Sequence, residues 1–153
     1  MDIPTFGALL RFAIELEEQH QIAYQEVAEK TDKAKIKETF LDLAQQNKKS
    51  RSQVEKLYQE NIRSDMDIGV QEPIPGLKRS DYLDESKLPS GASGVAFLKL
   101  AVHGEERAQK FYLNSVLQVK ARWPAIARSL DKLAREKLER KAKLESLDTD
   151  TYT

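Results

Sequence analysis

There is no cysteine anywhere in the 153 residues, which excludes disulfides, thiolate-held metal centres and cysteine nucleophiles. Glycine and proline are scarce, at 6 and 5 residues, and aromatics make up only 7%. That shortage argues against a sandwich or barrel and for long helices. Neither sign of charge dominates, because 25 Lys and Arg face 25 Asp and Glu. No global field therefore draws the chain to nucleic acid or to an anionic membrane. No apolar run approaches the ~18 residues of a membrane span, and the N-terminus lacks a basic-then-apolar leader pattern. These absences lead us to expect one cytoplasmic domain with no nucleic-acid or membrane partner.

What the sequence does have is charge, 33% of residues, laid over apolar positions that recur at three- and four-residue spacing. The spacing predicts four helices at about 4–30, 32–62, 93–120 and 124–147, with Pro4 and Pro124 in first turns and Thr31 or Asp32 capping the second helix. The tail at 148–153 is expected to fray. Residues 64–92 lose the period and collect prolines and glycines, so they read as a connection. The short links make each helix pair an antiparallel hairpin. The long connection allows the second helix to run parallel to the third. The expected fold is therefore all-α: one antiparallel four-helix bundle of the ferritin-like kind, with one long crossover between helices 2 and 3. Val70, Ile74, Leu77, Tyr82 and Leu88 are available to seat the crossover. Leu9, Leu16, Ile22, Leu113, Val116, Leu117 and Trp123 lie off the main stripes, suggesting a second buried face: the crossover's seat or a subunit interface.

Each apolar stripe is broken near its middle. Glu17 and His20 interrupt the first, Asn47 and Ser50 the second, Glu105 the third, and Lys137 and Arg140 the fourth. Four interruptions at matching heights point to one shared polar layer; the competing arrangement has them at helix edges with their charges reaching water. Buried ions without partners cost several kcal/mol, and here two acids meet two bases. Arg140 is expected to grip one carboxylate with its guanidinium fork and Lys137 to reach the other, with Asn47, Ser50 and His20 satisfying what remains.

At these residues the sequence resembles the rubrerythrin-type branch of the ferritin-like superfamily. Residues 12–31, FAIELEEQHQIAYQEVAEKT, are similar to the first helix of such domains, with Glu17 in the place of a metal-binding Glu and Tyr24 seven residues on. Residues 100–112, LAVHGEERAQKFY, are similar to the third helix, with Glu105 and Tyr112 repeating that spacing. FLDLAQQNKKSRSQVEKLY and LDKLAREKLERKAKLESL resemble the second and fourth. The resemblance implies a di-iron centre built from one Glu on each of two helices and Glu-x-x-His on each of the others. Glu17 and Glu105 match, but Asn47-x-x-Ser50 and Lys137-x-x-Arg140 stand where Glu-x-x-His is expected. On that comparison the di-iron site is degenerate: side-chain cations take the metals' electrostatic place, and the usual peroxidase or ferroxidase chemistry is lost. The expected protein is a cofactor-free, non-catalytic scaffold or partner-binding protein, and the resemblance implies a homodimer. The alternative is a metal-binding oxidoreductase or metal-handling protein with Fe or Mn held by Glu17, His20 and Glu105. His103 with Glu106 forms a second i, i+3 pair, which the heptad phase puts off the stripe.

Overall fold

The computed structural model describes residues 2–62, 71–83 and 94–147. Four helices dominate it: α1 (Phe6–Lys30), α2 (Ala34–Ile62), α3 (Gly94–Val119) and α4 (Pro124–Glu145). Two short strands, β1 (Asp2–Thr5) and β2 (Pro73–Lys78), pair antiparallel. The expected helices are present to within a few residues, and the strands were not anticipated. The expected fraying of residues 148–153, and the roles given to Val70 and Leu88, lie outside the described residues.

The helix starts show local chemistry overruling a simpler rule. Pro4 sits in β1 rather than in a first turn, because the Thr5 hydroxyl accepts a hydrogen bond from the Ala8 amide at 3.1 Å and fixes the cap one residue before Phe6. Thr31 closes α1, its amide donating to the Val27 carbonyl at 3.0 Å. Its hydroxyl is engaged by the Lys33 amide at 3.2 Å, so α2 starts at Ala34 rather than one or two residues earlier. Pro124 does open α4, where its missing N–H costs nothing.

α1 packs along α2 and α3 along α4, forming two hairpins. The Phe6 ring, at the start of α1, stacks on Trp123, just before α4, with centroids 4.3 Å apart. Near the other end of α1, the Tyr24 hydroxyl reaches the Ala101 carbonyl, early in α3, at 3.4 Å. α1 and α3 are therefore antiparallel, and α2 runs parallel to α3. The connection between α2 and α3 crosses from one end of the bundle to the other.

Part of that connection straps the lower end of the bundle. β2 pairs with β1, Ile3 opposite Leu77, and the Phe6 amide donates to the Glu72 carbonyl at 3.0 Å. Gly76 turns the strand with φ +110°, a conformation that side-chain-bearing residues rarely adopt, and its amide donates to Gln118 Oε1 at 2.8 Å. Tyr82, 2% exposed, enters the core beside Phe12 and Phe111. Arg79 locks the strap to α1 by a two-pronged contact to Glu15, at 2.6 and 2.8 Å, and lies 4.9 Å above the Phe12 ring. Leu9 and Leu16 are fully buried in the same cluster as Tyr82, so the strap accounts for part of the second apolar face.

Candidate functional site: a charged layer dividing the core

The buried apolar residues form two clusters. One gathers around Phe6, Phe12, Phe111, Tyr112 and Leu130, the other around Tyr24, Phe40, Leu98 and Leu144. Between them Glu17, Asn47, Ser50, Glu105 and Lys137 are all buried, while Arg140 is 11% exposed. All four helices thus turn a polar residue inward at one level, as the broken stripes require. Each of these residues occupies a heptad position that the periodicity assigns to the core.

Glu17 is the hub. Its Oε1 accepts from the Tyr112 hydroxyl at 2.9 Å and its Oε2 from Asn47 Nδ2 at 2.8 Å. Lys137 Nζ lies 2.8 Å from Oε1 and 2.9 Å from Oε2, and both side chains have zero exposure. A carboxylate has about four acceptor positions, and here each oxygen takes two donors. Burial alone would raise the Glu17 pKa, but the Lys137 charge and hydrogen bond, with Tyr112, leave it below the ordinary carboxylate range.

Glu105 is less well served. Its Oε1 accepts from the Tyr24 hydroxyl at 3.1 Å, whereas Oε2 lies 3.9 Å from both Lys137 Nζ and Arg140 Nη1 and receives no protein hydrogen bond. The tyrosine bonds cross between helices: Tyr24 of α1 serves Glu105 of α3, and Tyr112 of α3 serves Glu17 of α1. Burial, and then the adjoining carboxylates, push both phenol pKa values well above the ordinary tyrosine value, so both hydroxyls remain donors. These bonds were missed in the sequence. Their signal was the repeated spacing of seven between Glu17 and Tyr24 and between Glu105 and Tyr112, two helical turns on one face.

The structure corrects the expected role of Arg140. Its fork does not grip a carboxylate: Nη2 donates to Ser50 Oγ at 3.1 Å, and Nη1 makes no hydrogen bond, only the 3.9 Å ion pair with Glu105. Ser50, one helix away, competes for the guanidinium. Lys137, expected to take one acid, instead spans the two, bound to Glu17 and leaning toward Glu105.

His20 lies against Tyr24, with ring centroids 6.1 Å apart. A methyl group placed on Gly104 would meet the Tyr24 hydroxyl at 3.1 Å and the His20 ring at 3.7 Å, so the absent side chain at 104 lets α1 and α3 approach here. Burial and the positive charge of Lys137 lower the His20 pKa to about 4, leaving the ring neutral at pH 7. Its Nδ1 meets no protein hydrogen-bond partner. Glu17, His20 and Glu105 are not assembled as a ligand set; among the described residues no three His, Asp or Glu side chains are placed to hold a metal ion together. His103 is exposed, and Glu106 faces Lys141 at 3.7 Å instead.

The donor set does not fit two bridged metal ions. Among the described residues the layer holds only two carboxylates, one is saturated by Lys137 and its neighbours, and the remaining positions carry an amide, a hydroxyl and two cations. Among the described residues no helix is long and apolar enough to cross a membrane. No known protein family, curated protein or solved structure matches the chain.

Proposed function

We propose that the chain is a ferritin-like bundle of the rubrerythrin type whose di-iron centre has been replaced by a salt-bridged polar core, and that it acts as a non-catalytic scaffold or partner-binding protein. One observation carries this reading: the Lys137 ammonium, with zero exposure, lies within 2.9 Å of both Glu17 oxygens. A fixed internal cation there repels an incoming divalent ion and takes up the carboxylate that would bind it. The parallel run of α2 and α3, joined by one long connection, supports the same reading. A homodimer is part of the proposal. Leu113 and Leu117, one turn apart on α3, are 43% and 64% exposed, and the strap does not cover them.

Metal content of the whole chain tests the proposal. Protein expressed in iron- and manganese-supplemented medium should carry well under one equivalent of metal by mass spectrometry. One or two equivalents per chain would establish the metal-handling alternative instead.

A further inference from the structure

The polar layer is not sealed. A groove of about 720 Å³ opens between α2 and α4; its mostly polar lining includes Leu43, Leu144 and Leu147 and reaches Ser50 and Arg140 of the layer. That volume falls within the range of small-molecule sites. The groove brings these leucines to a mostly buried guanidinium: its Nη2 donates to Ser50 at 3.1 Å, while its buried Nη1 has no hydrogen-bond partner and only a 3.9 Å ion pair with Glu105.

We propose that this groove binds a small organic monocarboxylate with an apolar body, its carboxylate on Arg140 and Ser50 and its hydrocarbon part against Leu43, Leu144 and Leu147. Guanidinium and carboxylate are geometrically matched, and their hydrogen bonds are about twice as strong as neutral ones. A cation is disfavoured by Arg140, with Lys137 behind it. A dianion such as phosphate is disfavoured because Glu38, Asp42, Glu136 and Glu139 also line the groove and repel a second charge. A wholly apolar ligand would strip water from Arg140 without replacing its hydrogen bonds. One added negative charge is tolerable because Lys35, Lys49 and Lys143 line the same groove and, with Arg140, balance those four acids. The inference goes beyond the scaffold reading, and metal content does not bear on it.

The probe is 3-phenylpropionate, compared with its uncharged amide and with inorganic phosphate, titrated into isotope-labelled full chain. Arginine side-chain and leucine methyl resonances report the site. Saturable shifts at Arg140, Leu43 and Leu144 are expected, with Kd at or below ~1 mM. The amide should bind at least ~10-fold more weakly, because it cannot form a charge-assisted pair, and phosphate should not saturate. Arg140→Gln should abolish the shifts in a protein whose circular dichroism is unchanged. Should that variant fail to fold, Ser50→Ala decides, with an expected loss of ~3-fold or more from one missing hydrogen bond. Equal binding of acid and amide, shifts confined to other surfaces, or no saturation by ~10 mM would each overturn the proposal.

Discussion

Replacing Lys137 with alanine is the sharpest perturbation of this molecule. The ammonium lies 2.8 and 2.9 Å from the two Glu17 oxygens and 3.9 Å from Glu105, with no exposure. At an effective dielectric of about 20, a pair at that separation attracts by ~6 kcal/mol. Most of this only offsets the several kcal/mol needed to desolvate each ion, so the intact pair contributes little net stability. Removing one member is different. Glu17 keeps its desolvation cost and retains only Tyr112 and Asn47, while the layer goes from neutral to one net negative charge. The expected loss is ~3–5 kcal/mol in urea unfolding at pH 7, a large share of the ~5–15 kcal/mol typical of a domain. Lys137→Met, which restores most of the stem's volume, should recover only the packing part, ~2 kcal/mol. The loss should shrink as pH falls, because burial without Lys137 raises the Glu17 pKa and lets the stranded carboxylate take up a proton. A change within ~0.5 kcal/mol for Lys137→Ala would mean that the ammonium is solvated in solution and that the neutral-layer argument is wrong.

Tyr112→Phe removes one donor from a buried carboxylate and should cost ~1–3 kcal/mol by the same assay. Acid should destabilise the fold in two steps. His20, lowered to about 4, is neutral in the folded state but gains a proton on unfolding below about 6.5, so stability falls between those pH values; His20→Gln should flatten that limb. Glu17, also lowered, contributes stability above the ordinary carboxylate pKa that is lost as pH falls through its folded value. Tyr24 and Tyr112 are raised well above 10, so stability should also fall above about pH 10, where only the unfolded chain ionises. Arg79→Ala should release the strap: a loss of ~0.2–1 kcal/mol, as for a partly exposed pair, with faster proteolysis within residues 71–83. Finally, the quadruple change Asn47→Glu, Ser50→His, Lys137→Glu and Arg140→His supplies two Glu-x-x-His pairs, and should confer about two equivalents of divalent metal by mass spectrometry.

The helices and their inward faces were legible because burial follows the heptad phase. At three- and four-residue steps along α3, Leu98, Ala101, Glu105, Ala108, Tyr112, Ser115 and Val119 are all buried. The polar layer was legible for the same reason: its members break an otherwise regular pattern. The strands were not, because each is short and rich in proline, and their partners lie about 70 residues apart in the chain. Nothing local to Ile3 announces Leu77. The pairing within the layer was only half readable. Charge balance specifies that two acids meet two bases, but the choice between Lys137 and Arg140 depends on rotamers, and on a serine hydroxyl whose competition the spacing does not reveal.

The bond between Glu17 and Lys137 joins positions 120 residues apart, and it has a consequence for how the chain assembles. The first hairpin brings a lone negative charge to the seam, and the second brings two bases and one acid. Neither half can close over its own polar residues, so each is an incomplete core until the other arrives. The layer therefore works as a mutual address: collapse is rewarded only when both hairpins meet at the right height, and a one-turn slip strands like charges in oil. Either hairpin expressed alone should remain largely unstructured, and mixing the two should restore a single cooperative unfolding transition.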